Sequence, residues 1–111
     1  MDHFNHQLAQ LILEIEAELR RCGLWESPAP EPRALQSLVP FCHDSMQFEQ
    51  WLRWVFLVKM KRVVEGLEEC PSSSEIAPLA EYRFAQLAHP TVLLLELIVR
   101  FDAQINRESL R

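Results

Sequence analysis

The chain has 111 residues, 49% of them hydrophobic, which fits one domain that buries a core without needing a disulfide or metal staple. Its 16 acidic and 11 basic residues give a formal charge of −5, which argues against free-standing nucleic-acid binding but not against a local basic patch. Only two glycines, with abundant Leu, Ala, Glu, Gln and Arg, favour helix.

Phe4, Leu8, Leu11, Ile12, Ile15 and Leu19 recur at spacings of three and four, one face of an amphipathic helix. The spacing predicts helix one over about residues 3–22, with Gly23 as its stop. From Leu24 to His43 the period is lost. Pro28, Pro30, Pro32 and Pro40 remove donors and fix φ, so this segment is expected to be extended, with a short helical turn near Ala34–Leu38. Trp25, Leu35, Leu38, Val39 and Phe41 give it apolar anchors on the body.

Helix two is expected after "HDS", capped by Asp44 or Ser45, with Asp44 and Gln47 at capping-box spacing, and to end near Gly66. Phe48, Trp51, Leu52 and Val55 form one apolar stripe. Phe56, Met60, Val63, Val64 and Leu67 form a second, rotated by roughly a quarter turn, so the helix must meet different neighbours at its two ends. Trp51 is expected in the core. Trp54 and Leu57 fall outside both stripes. They are either covered by the proline segment or form a docking face with Arg53 and Lys61. "ECPSSSE" breaks the chain. Helix three is expected from Pro78 to His89, and helix four after Pro90, with Leu94, Leu97, Ile98, Phe101 and Ile105 inward. The whole reads as a single all-α domain over residues 1–111, a four-helix bundle with a long proline-rich segment between helices one and two.

No catalytic constellation emerges. His3 and His6 stand one turn apart without a third ligand, and Cys42 and His43 are neighbours in a loop. The three cysteines form no C-x-x-C pair, so free thiols in a reducing cytoplasm are expected. The N-terminus lacks a signal-peptide pattern, and no apolar run is long enough to span a bilayer. No cofactor or metal motif is present. The reading is a cytoplasmic, non-catalytic interaction protein whose partner face is Trp54, Leu57, Arg53 and Lys61, with no independent nucleic-acid binding and no membrane contact. The alternative is an enzyme or small-ligand binder with a pocket where Phe41, Asp44, Trp51 and Glu81 converge. Homodimerisation through the apolar face is a third reading.

The stretch "SLVPFCHDSMQFEQWLRWVFLVKM", with "EIAPLAEY" downstream and a late "RFD", resembles the YqcC-like family of small bacterial proteins. The resemblance runs from Leu11 to Asp102 and is most specific at Pro40-Phe41, Asp44, Met46, Trp51-Leu52, Trp54-Val55-Phe56 and Met60. Val58 stands where members commonly carry proline. The resemblance implies an all-helical bundle and brings no catalytic residues. It also implies an accessory role beside a tRNA pseudouridine synthase, whose gene often neighbours those of the family.

Overall fold

The computed structural model describes residues 3–108, and helices are the only regular elements among them. Helix α1 spans His3–Arg21 and buries Leu8, Ile12, Ile15 and Leu19. Gly23 ends it at φ 87, a left-handed conformation that costs glycine nothing. The Leu24 amide donates to the Leu19 carbonyl at 3.0 Å and the Gly23 amide to the Arg20 carbonyl at 3.3 Å, the paired bonds of a Schellman ending. Leu24 is itself buried, which completes the motif's apolar contact.

Helix α2 covers residues 48–64 without a break, but not as uniform α-helix. Phe48–Trp51 is α-helical, Leu52–Phe56 is a π-turn, and Leu57–Val64 is α-helical again. Gly66, at φ 80, repeats the Schellman ending, with Leu67 donating to Arg62 at 2.9 Å. The start differs from expectation. Neither Asp44 nor Ser45 is the cap: Gln47 is, and the Gln50 side chain accepts its amide at 2.9 Å to complete a capping box. Asp44 instead accepts the Ser37 hydroxyl at 2.5 Å, which keeps it in the preceding loop.

Helix α3 spans Ala77–Phe84 and helix α4 spans Val92–Glu108. Helix α3 stops short of His89. Gln86 bonds to Arg83 at 3.0 Å and Leu87 to Phe84 at 3.1 Å, tight i→i+3 contacts that wind the chain out of the α-helix. Between α1 and α2 the chain makes two short 3-10 turns, Pro32–Gln36 and Pro40–Cys42, joined by extended residues.

The π-turn accounts for the rotated stripe. An α-helix places residues 52 and 57 on different faces, but an i→i+5 turn brings them round to one. Leu57 donates its amide to the Leu52 carbonyl, and both side chains are buried, at 2% and 0% exposure. The two halves of α2 then meet different neighbours, as its pattern predicts. The C-terminal half packs on α1 and the N-terminal half on α3, while α4 lies along α1 and also contacts α3. Phe56 and Phe101 meet edge-to-face at 4.9 Å within this core. Burying each such large side chain contributes about 1.5–3 kcal/mol. Among the described residues, no helix is long and apolar enough to cross a membrane.

Candidate functional site

Beyond Gly23 the chain turns back over α2, and the predicted partner face lies under it. The Arg20 and Arg53 guanidinium carbons stand 4.0 and 4.1 Å from the centre of the Trp25 ring, and Arg53 is also 4.4 Å from that of Trp54. Arg53 donates to the Trp25 carbonyl, the Trp54 indole to the Ser27 carbonyl at 3.0 Å, and the Gln50 amide to the Pro28 carbonyl at 2.9 Å. Lys61 lies 2.6 Å from Glu16, which Arg20 also contacts at 3.2 Å. The Lys61 hydrogen bond holds the Glu16 carboxyl below its ordinary range; burial opposes this, and Arg20 adds to it. Most polar atoms of this face are therefore engaged by the chain itself. Trp54 is half-buried, and Leu57 is in the core and offers no surface. The four expected partner residues do not form one open patch.

The open aromatic surface lies elsewhere. Phe41 takes φ 60 and Cys42 φ 50, consecutive left-handed positions that are strained for side-chain-bearing residues. This bend sets the Phe41 ring edge-on against Trp51 at 4.9 Å. Trp51 is half-buried rather than in the core, flanked by Phe48 at 6.0 Å and Phe56 at 5.6 Å. Together Phe41, Trp51, Val55, Phe56, Met60 and Ile76 wall a cleft of about 230 Å³, which Lys59 and Glu75 also line. The π-turn supplies Val55 and Phe56 to this wall. The expected four-residue pocket is thus half formed. Phe41 and Trp51 meet, but Asp44 lines a separate cleft of about 280 Å³ with Tyr82 and Arg83. Glu81 lines neither and is exposed, because α3 turns Ala80 and Phe84 inward. Among the described residues, no group of three His, Cys, Asp or Glu side chains is placed to hold a metal ion.

A family model described as DUF446, tRNA pseudouridine synthase C, matches residues 7–104. The chain belongs to this YqcC-like family. It is 29% identical to the uncharacterized protein YqcC of Escherichia coli over 99 residues, 88% of this chain and 91% of that one. The solution NMR structure of the same E. coli protein superposes with a TM-score of 0.76 at 27% identity, covering 94% of this chain and 89% of that one. A Pectobacterium carotovorum protein named tRNA pseudouridine synthase C is 37% identical over 68 residues, which are 61% of this chain but 18% of that protein.

The YqcC-like bundle also holds two polar clusters that sequence reasoning missed. Asp102 on α4 is buried and accepts the Ser74 hydroxyl at 2.6 Å and the Ile76 and Ala77 amides at 3.1 and 2.8 Å. Asn106, one turn on, exchanges two 2.9 Å hydrogen bonds with the Ser74 backbone. Together they fix the loop that forms one side of the aromatic cleft. Their only trace in the sequence is a carboxylate beside Phe101 on the apolar face of α4. The second cluster is the fork of Arg83 on Glu49, at 2.9 and 3.0 Å, which ties α3 to the first turn of α2.

Proposed function

We propose that this chain is a non-catalytic accessory protein that binds a tRNA pseudouridine synthase through its aromatic cleft. The similarity to the Pectobacterium protein carries the reading. There, a stretch like this one occupies 18% of a polypeptide that bears the enzyme's name. Modules that work together gain effective concentration when joined in one chain. A domain that holds a partner without a covalent link does so through its own surface, and half-buried aromatic rings around a small cleft are the anchor type that dominates such contacts. Trp51 and Phe41 have that form, whereas Arg53 and Trp54 are already bonded to residues 25–27. A second reading, a small apolar molecule in the same cleft, is favoured by the π-turn and the left-handed Phe41, since such features cluster at functional sites.

Co-expression with the tRNA pseudouridine synthase C of the same organism, followed by size-exclusion chromatography and calorimetry, tests the first reading. The two proteins are expected to co-elute. Trp51→Ala is expected to weaken binding at least about tenfold, as loss of an interface anchor does. Val99→Ala, at an exposed position on α4, should leave binding unchanged. Separate elution at both low and physiological salt would overturn it.

A further inference from the structure

We propose that the groove between α1 and α4 binds the phosphodiester backbone of RNA. The inference rests on the reading above only in preferring RNA to other extended anions. The groove, about 500 Å³, takes its polar lining from His6, Gln7 and Gln10 on α1 and Arg100, Gln104 and Arg107 on α4. None of these is a carboxylate, although the chain carries 16 acidic residues against 11 basic ones. Every one can donate a hydrogen bond.

The groups are partly pre-arranged. Arg107 donates to Gln104 at 2.8 Å, Gln104 donates to Gln7 at 3.0 Å, and Gln7 lies 3.1 Å from the His3 ring. Arg100 forms no ion pair or side-chain hydrogen bond among the described residues, so its guanidinium is available. The two arginines are seven positions apart on one helix, roughly 10 Å along its axis. Positive charge therefore runs along the groove rather than converging on a point, which suits successive phosphates better than a single small anion. The amides add groups that both donate and accept, the pairing a ribose hydroxyl offers.

An acidic peptide fits less well. Its contacts would need an apolar anchor, and the groove floor offers only the half-buried Leu11 and the small Ala103. Arg100 also borders the neighbouring cleft of the same helix pair, where Glu14, Glu18 and Glu96 repel a polyanion and limit the track to a few nucleotides on the Arg107 side. The contact is therefore weak alone and supplements a partner that holds RNA itself.

The test uses the full chain, without any synthase, and fluorescein-labelled unmodified tRNA, read by anisotropy between about 50 and about 200 mM KCl. The Arg100→Ala/Arg107→Ala variant removes two exposed side chains, so its circular dichroism and melting temperature should match the wild type. Each lost phosphate contact lowers the steepness of log K against log salt by about 0.7 on single-stranded and about 0.9 on double-stranded nucleic acid, so the double variant should lose about 1.4–1.8. Arg33→Ala, an exposed cation in the proline segment, should leave the slope unchanged. The inference fails if the wild type shows no binding at the lowest salt, if all three proteins share one slope, or if polyglutamate competes as well as RNA. Co-elution with the synthase alongside any of these results would remove the groove and keep the partner.

Discussion

Asp102 is 9% exposed on a helix face that otherwise buries Leu94, Leu97, Ile98, Phe101 and Ile105. A buried carboxylate is costly unless hydrogen-bonded, and this one accepts three bonds at the start of α3. Those amides have no acceptor within their own helix, and Ile76 at the cap position supplies no side-chain bond. A helix of 8 residues is marginal by itself, so a cap lent by α4 substitutes for one its sequence lacks. Asp102→Ala is expected to cost about 2–4 kcal/mol, the sum of a lost cap and of buried donors left unpaired. Urea unfolding would show it as a lower midpoint at unchanged m. An unshifted midpoint would mean that water replaces the carboxylate. The sequence places Asp102 on the apolar stripe but not its partners, which lie 25 to 28 positions away. Side-chain pairing over that distance leaves no periodic trace.

At the level of elements, legibility follows whether the cause is local. Helices α1 and α2 end where predicted because a glycine at C′ is a one-residue signal, and both glycines take it. The start of α2 was less legible. Asp44 has the right chemistry for a cap, but Ser37 takes its carboxylate, and Gln47, a weaker candidate by type, caps instead. The π-turn is visible only as a rotation of the apolar stripe, so Leu57 reads as lying outside both stripes, covered by the proline segment or exposed, whereas it is buried in the core. Of the apolar anchors expected in the segment after Gly23, Trp25 and Phe41 pack against the core but Leu35, Leu38 and Val39 are exposed, so hydrogen bonds from Gln50, Arg53 and Trp54 hold its start instead. Trp54→Phe tests that attachment, because it keeps most of the ring and deletes the bond to Ser27. The expected cost is about 1 kcal/mol, with faster proteolysis within residues 28–40. Unchanged proteolysis would place the grip on Gln50, Arg53 and the Trp25 stack. The cleft was half legible for the same reason: Phe41 and Trp51 are signalled as aromatic, but the left-handed bend that joins them is a backbone property no residue type at 41 or 42 announces.

The molecule as a whole has a radius of gyration of 13.7 Å, close to the roughly 13 Å expected for a folded chain of this length. Its pH range of stability follows from groups that cross between helices or lie in the core. Burial acts to raise the Glu49 carboxyl, but the Arg83 hydrogen bonds, its own amide and nearby positive charge outweigh it, and its pKa falls below the ordinary 4.5. Glu16 is lowered too, through Lys61 and Arg20. A carboxyl whose folded pKa is depressed adds stability above its unfolded value, and that stability is lost as pH falls through the folded value. Cys22 acts at the other end. Burial raises its thiol above the ordinary 9.0, so the core favours the protonated form, and that contribution is lost as pH rises past this range. The acid limb is the sharper test, because Glu49→Gln removes one charge while keeping the shape. At neutral pH the variant should be less stable by about 1–2 kcal/mol, the scale of a partly buried, charged, two-bond pair. As pH falls from the ordinary 4.5 through the lower folded value, wild-type Glu49 takes up a proton and comes to resemble glutamine, and the gap should narrow and then close. Urea midpoints of both proteins from roughly pH 3 to pH 7 would show convergence. Parallel curves would mean that the gap does not come from the Glu49 charge, and coincident curves that the Arg83 fork contributes nothing in solution, leaving apolar packing alone to hold α3 against α2.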